Sequence, residues 1–255
     1  MHTPVLLKEV LEIFKPEPGK VFVDGTANGG GHTNALRAAG ARVIAIELDP
    51  DLAKEIGAIH GNYADIATLV HEQVDGVLLD LGFSSQQLES GRGFSFKKDE
   101  PLDMRYNYEE GETAADILNT RSEEEIAGIL KEYGDERFDG RIASAIVKAR
   151  PLRTTYDLVN AIVRVVPRRG RIHPATRTFQ ALRIAVNHEL ENLQKGLEGA
   201  LKIAPLVAVI TFHSLEDRIV KKYTKKKIKP SWEEIKQNRR ARSAKLRVVE
   251  RTTPA

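Results

Sequence analysis

Val21-Phe22-Val23-Asp24-Gly25-Thr26-Ala27-Asn28-Gly29-Gly30-Gly31-His32 decides the fold. Val21 to Val23 are β-branched or aromatic, which suits a short buried strand. Asp24 ends that strand. Gly29, Gly30 and Gly31 strip the following turn of side chains, permit positive φ and let a ligand approach the backbone amides. A helix then starts near His32 or Thr33 and runs to Gly40, its first amides facing whatever lies over the glycines. Taken alone, this is equally a tight strand-to-helix connection. The spacing also departs from the dinucleotide fingerprint, because Asn34 stands where Gly or Ala is expected, and this turns the reading away from a nicotinamide cofactor.

The next strand, Val43 to Ile46, ends in Glu47. A carboxylate there, about 20 residues after the glycine turn, is placed to grip the ribose hydroxyls of a nucleoside. Pro50 to Ile56 reads as a short helix, Ala58 to His60 as a third strand, and Gly61 to Asp65 as a loop. In that loop Tyr63 either lies against an adenine face or plugs the turn. Val74 to Gly82 is a near-continuous apolar run, as expected for a strand covered on both faces, and it ends in Asp80. Strands alternating with helices predict an α/β fold: a doubly wound, mostly parallel, Rossmann-like sheet with ligands at the carboxyl ends of its strands. Asp24, Glu47 and Asp80 all stand at such ends.

Upstream, Thr3 and Pro4 are expected to cap and open a helix whose apolar face is Leu7, Val10, Leu11 and Phe14. Downstream the rhythm changes. Residues 88–112 read as loop, and from Thr113 to about Val166 the pattern is helical, with a capping box at Ser122 and Glu125. The domain expectation is a discontinuous sheet domain, 1–105 with 174–255, and a helical insertion, 106–173. Pro174 opens a long helix whose face runs without interruption from Phe179 through Leu182, Val186, Leu190, Leu193 and Leu197 to Leu201. Leu206 to Phe212 is a fifth strand, ending in His213, and Lys245 to Val249 forms a last edge strand.

Cysteine is absent, which excludes disulfides and thiolate zinc sites, and the seven histidines show no metal-ligand spacing, so no metal is expected. No apolar run approaches a membrane span and no signal peptide is evident, so a cytoplasmic protein with no membrane partner is the default. From Lys221 to Arg247 twelve Lys or Arg face only Glu233 and Glu234, a local charge of +10, and the overall +3 leaves −7 elsewhere. A basic segment on an acidic body points to a polyanion, most simply nucleic acid, unless it is a solubilising tail; Tyr223 and Trp232 within it tilt the reading toward a docked or stacking surface.

With these segments assembled, the chain resembles the bacterial 16S ribosomal RNA (cytosine-N4)-methyltransferases, which use S-adenosyl-L-methionine. The matching stretches run from end to end: His2 to Leu7, Asp24-Gly25-Thr26 with Gly30-Gly31-His32, Leu79 to Gly82 with Ser84-Ser85, Arg92 to Phe96, Pro101 to Arg105, His173 to Ile184, Phe212 to Arg218 and Arg240 to Ser243. The resemblance implies that Gly30, Gly31 and His32 line the methionine side of the cofactor, Glu47 holds the ribose, Tyr63 flanks the adenine, and Asp80 and Gln87 complete the pocket near the sulfonium. Asp24 joins this cofactor set from its strand end. The implied partner is 16S ribosomal RNA within the small subunit, recognised with help from the helical insertion; a homodimer is left open.

Methylating an exocyclic amine requires its lone pair to be localised and aimed at the methyl group, so acceptors beside the amine are needed. Asp80-Leu81-Gly82-Phe83 occupies the place of the polar-to-aromatic motif of amino-methyltransferases. Asp80 is the candidate acceptor and Phe83 a candidate stacking partner, if it is not core. Asp103 and His213 are further catalytic candidates. Arg105, Arg177, Arg183 and Arg218 are candidate RNA contacts, or else internal ion-pair partners. Three departures from the family pattern stand out: Glu47 in place of Asp, Asn28 in place of Gly, where αL geometry is tolerated, and a shortened Pro205-Leu206 turn. Two other readings remain open: an RNA-binding assembly factor without chemistry, and a methyltransferase for another nucleic acid.

Overall fold

The computed structural model describes residues 4–167 and 172–251. The first elements are α1 (Leu7–Phe14), β1 (Val21–Asp24), α2 (Gly31–Ala38), β2 (Arg42–Glu47), α3 (Pro50–Ile56), β3 (Ile59–His60), α4 (Ile66–Leu69) and β4 (Gly76–Asp80). Six helices follow without a strand: α5 (Ser85–Glu89), α6 (Ala114–Thr120), α7 (Glu123–Gly134), α8 (Asp139–Lys148), α9 (Thr155–Val163) and α10 (Thr176–Asn187). The chain closes with α11 (Glu189–Ile203), β5 (Leu206–Thr211), α12 (Ser214–Val220), α13 (Trp232–Gln237) and β6 (Lys245–Glu250). These form two compact units, a sheet unit up to Phe83 and from Leu190 onward, and a helical unit, Ser84–Glu189.

The sheet unit holds one sheet in the order β3-β2-β1-β4-β5-β6, parallel except for β6, which runs antiparallel to β5. Side chains alternate across it as period-two geometry requires. Phe22, Leu78, Ala208 and Ile210 pack on one face with Val10 and Phe14 of α1, Phe14 stacking on Phe22 at 4.9 Å. Val23, Val77, Leu79, Val207 and Val209 pack on the other with Leu193, Leu197 and Ala200 of α11. Gly76 has no side chain because Phe14 lies where one would go, 3.0 Å away. The strand order reverses between β1 and β4, and such a switch opens a crevice at the carboxyl ends of those strands. Asp24 and Asp80 end these two strands, and Glu47 ends β2.

The helical unit has its own core, with Leu118, Ile126, Leu130, Ile142, Ile146, Leu158, Phe179 and Leu182 at its centre. Capping boxes start four of its helices, at Ser84 with Gln87, Thr113 with Asp116, Ser122 with Glu125 and Thr154 with Asp157. Phe94, Leu102 and Met104 bury themselves in this core as well. Gly93 sits at φ +75° with the Pro101 carbonyl 2.3 Å from where a Cβ would be.

Four expectations are revised by this architecture. The compact helical unit runs from Ser84 to Glu189 rather than from 106 to 173, because the 92–96 and 101–105 stretches and α10 belong to the helical core. The long helix is two: His188 adopts φ +49° and separates α10, whose Phe179, Leu182 and Val186 enter the helical core, from α11, whose Leu193 and Leu197 enter the sheet core. The first helix begins at Leu7, after Leu6 in the αL region, so Pro4 lies outside it; Thr3 lies outside the described residues. Finally, the stretch expected as loop from Gly61 to Asp65 closes in a single 3-10 turn, Tyr63–Asp65.

Candidate active site

The glycine turn leaves β1 and is bonded to two other strands, β2 and β4. Gly25 N–H donates to the Leu78 carbonyl of β4 at 2.9 Å, Ala27 N–H to the Ile46 carbonyl of β2 at 3.0 Å, and Asp80 N–H to the Thr26 hydroxyl at 2.6 Å. Asp24 is buried; it accepts from the Thr33 hydroxyl at 2.7 Å and from Thr26 N–H at 3.3 Å, so its oxygens brace the turn from beneath. Burial raises its pKa against the lowering influence of His32 and Thr33. Thr26 and Thr33 were not singled out by sequence; their signal is a hydroxyl on either side of a strand-end carboxylate.

Asn28 adopts φ +48°, the left-handed geometry expected of it. That geometry aims its N–H at Glu47 Oε2, 2.6 Å away, while Glu47 Oε1 accepts from Asp49 N–H at 2.9 Å. The Glu47 carboxyl is buried and its pKa is pushed up to about 7 by that burial, against the two backbone donors and with the Asp49 and Asp24 carboxylates adding to the rise. Gly30 caps α2 at φ +76° and no side chain caps that helix, which leaves its first amides to other acceptors. A Cβ on Gly31 would stand 2.6 Å from Pro4 Cγ, so Pro4 packs on the turn instead of opening a helix.

His32 links the turn to β4. Its Nε2 lies 3.0 Å from the Val5 carbonyl and its Nδ1 3.4 Å from Asp80 Oδ2. Burial drives the imidazole pKa down, but the Asp80 and Asp24 carboxylates and the Val5 carbonyl outweigh it and leave it raised. His32 therefore favours the charged form and holds one oxygen of Asp80. The other, Oδ1, is buried and accepts from no described residue. A buried carboxylate oxygen without a donor is costly unless a ligand supplies one.

The remaining candidates divide. Tyr63 lies across α11 where Gly196 leaves space, its ring 2.4 Å from where a Cβ on that glycine would stand, and its own Cβ would be 3.2 Å from one on Gly25. Phe83, the last residue of the sheet unit, is partly exposed. His213 caps α12: its Nδ1 accepts from Glu216 N–H at 3.5 Å, and Nε2 lies 3.0 Å from Glu216 Oε1 but is misdirected for a hydrogen bond. Gln87 belongs to the helical unit, where it closes the capping box of α5 with Ser84. Asp103 and Arg105 pair with each other through two bonds, 2.8 and 2.7 Å. Arg183 makes a bidentate pair with Glu189 at 2.7 and 2.9 Å, both largely buried. Arg177 donates to the Asp135 carbonyl at 2.7 Å, and Arg218 is exposed. Thus Asp24, Gly30, Gly31, His32, Glu47 and Asp80 share one bonded turn, while Gln87, Asp103, Arg105, Arg177 and Arg183 serve the helical unit.

The basic C-terminal run is folded. Arg247, almost wholly buried in β6, donates Nε to Asp217 Oδ1 at 2.8 Å and Nη1 to the carbonyls of Thr224, Lys225 and Lys226 at 3.1 to 3.2 Å. Ile228 pairs with Leu246, and Trp232 is 70% exposed with Lys236 over its ring at 5.5 Å.

A mostly parallel sheet with this order, a glycine turn at its switch point and a carboxylate ending each of three adjacent strands define a class I, Rossmann-like methyltransferase. A family model for the MraW methylase family matches residues 1–227 and 222–252. The chain is 48% identical to the ribosomal RNA small subunit methyltransferase H of Deinococcus deserti, over 98% of this chain and 93% of that one. It is 49% identical to the protein of the same name from Deinococcus radiodurans, over 98% and 89%, and 45% to that of Coprothermobacter proteolyticus, over 98% and 96%. The chain belongs to the MraW methylase family and is a methyltransferase. No described helix is long and apolar enough to cross a membrane.

Proposed function

We propose that this protein transfers a methyl group from S-adenosyl-L-methionine to the N4 amine of a cytosine in the decoding region of small-subunit ribosomal RNA, acting in the cytoplasm on an assembled or nearly assembled subunit. The carrying observation is the bonded turn between Asp24 and His32, with Glu47 on one side and the half-satisfied Asp80 on the other. The names of the relatives support the RNA target. The donor set fits the cofactor: Glu47 would accept the ribose hydroxyls, Tyr63 would flank the adenine, and the α2 amides and Gly30 would receive the methionine carboxylate. When bound, S-adenosyl-L-methionine supplies a sulfonium methyl group.

The chain's own residues do the rest. His32 fixes Asp80 Oδ2, which keeps Oδ1 aimed and lets it accept a proton of the N4 amine. That hydrogen bond concentrates the lone pair on nitrogen, and the same oxygen takes the proton that the methylated amine sheds. Phe83 would stack on the base. A base flipped from the RNA costs a few kcal/mol to expose, roughly the worth of the contacts that a helical RNA-recognition unit and the exposed Trp232 would add.

Glu47 gives this reading a pH signature. Its folded pKa is raised above the unfolded 4.5 to about 7. Its contribution to fold stability is therefore present below the unfolded value and lost as pH rises through 7, when the carboxylate must ionise in its buried site despite the two backbone donors. Ribose hydroxyls would add donors to the ionised form, so cofactor affinity runs the opposite way. Calorimetric titration with S-adenosyl-L-methionine should show roughly tenfold weaker binding at pH 6 than at pH 8, and Glu47→Gln should bind weakly at both. Equal affinity across that range would remove Glu47 from the ribose site; no binding at any pH would remove the cofactor itself.

A further inference from the structure

Between α8 and α9 the helical unit carries an open groove of about 530 Å³ that none of the site residues line. Arg141, Ser144, Ala145 and Lys148 recur along α8 at spacings of three and four, so they form one face of that helix. Ala161, Arg164 and Val165 do the same at the end of α9. The small side chains, Ala145, Ala149 and Ala161, keep the floor low and apolar. Three cations stand around it without a carboxylate among the lining residues.

Helix electrostatics explain only part of this charge. Lys148 and Arg164 stand at the carboxyl ends of their helices, where a cation is favoured. Arg141 stands in the first turn of α8, where a cation is disfavoured. Its guanidinium lies 5.9 Å from the Phe138 ring centroid rather than on an acid. All three cations are exposed, and none forms an ion pair with a described residue. The sequence that follows α9 adds Arg168, Arg169 and Arg171 with no acid between them.

We propose that this groove seats the phosphate backbone of an unpaired stretch of the RNA substrate, with phosphates on Arg141, Lys148 and Arg164 and ribose against the alanine floor. It rests on the ribosomal RNA reading for its ligand and extends that reading to a defined docking surface. Arg141 and Lys148 are two helical turns apart, about 10 Å along α8, so they meet different phosphates. A channel between two adjacent helices is too narrow for a duplex. The floor carries no aromatic ring, so the groove holds backbone and leaves the bases unread.

The test measures binding of a fluorescently labelled single-stranded oligoribonucleotide across a salt series. It compares the wild type with Arg141→Gln/Lys148→Gln/Arg164→Gln and with a control of equal charge loss on the sheet unit, Lys8→Gln/Lys54→Gln/Lys195→Gln. All six positions are exposed, so both variants keep the fold. The groove variant should bind at least tenfold more weakly at low salt, with a dependence on log salt shallower by about 2. In methylation assays its KM for the subunit should rise while kcat at saturation and donor affinity stay unchanged. An unaltered salt slope in the groove variant, or an equal loss in the control, overturns the groove. A wild type that binds RNA through the groove yet methylates none supports the groove and overturns the proposed reaction instead.

Discussion

Asp80→Ala is expected to lower methyl transfer by about 10²–10⁴-fold at saturating cofactor and RNA, the range for losing a positioned acceptor or base. The expectation rests on the division of labour within one carboxylate. Oδ2 faces His32 at 3.4 Å and Oδ1 faces no described donor. Asp80→Asn is the sharper variant, since it keeps the shape and can keep an oxygen at either position but removes the charge opposite His32. It should retain cofactor binding better than alanine and still lose most of the rate. Single-turnover kinetics separate the steps. A normal methyl-transfer rate with weakened cofactor affinity would reduce Asp80 to a cofactor contact.

The second large effect concerns the fold of the basic segment. Asp217→Ala should destabilise the sheet unit by about 3–5 kcal/mol, because it strands a buried guanidinium. Arg247 is 2% exposed, and its remaining bonds go to three neutral carbonyls. Burial raises the Asp217 carboxyl, but Arg247 and Lys245 overcome it and hold the pKa below the usual 3.8. The unfolded chain thus binds this proton more readily. The stabilisation is full above the ordinary carboxylate range and is lost as pH falls through the lowered folded value. Thermal unfolding at neutral pH should show a melting point lower by roughly 10 °C in Asp217→Ala. Asp217→Leu/Arg247→Met, which removes both charges, should recover much of the loss. A single variant as stable as the wild type would mean that Arg247 finds water on losing its partner.

Strand ends were the most legible part of the sequence. Burial on both faces forces continuous apolar runs at β1, β4 and β5, and the carboxylates closing β1, β2 and β4 stand out against them. The αL geometry expected at Asn28 came from its standing where the resembled family has Gly, and it matches the φ of +48°. Capping residues could be read locally because a capping box is a contact between residues three apart. The break at His188 could not, since the three-and-four spacing from Phe179 to Leu201 continues across it and histidine carries no turn signal. What ends the helix is tertiary: the two apolar faces enter different cores. The edge of the helical unit was hidden for a related reason. Phe94, Leu102 and Met104 sit in irregular chain, where no periodicity says which core they join. The pairing of Arg183 with Glu189, six residues on, follows no helical spacing and needs the bend at His188.

Nucleoside mass spectrometry of small-subunit RNA decides whether this protein methylates cytosine N4. Subunits lacking the modification are incubated with this protein and S-adenosyl-L-methionine, with naked RNA in parallel. N4-methylcytidine should appear in the subunits, at one cytosine of the decoding region, with less or none in naked RNA. Subunits without methylcytidine, from a protein that binds the cofactor, would contradict the proposed reaction.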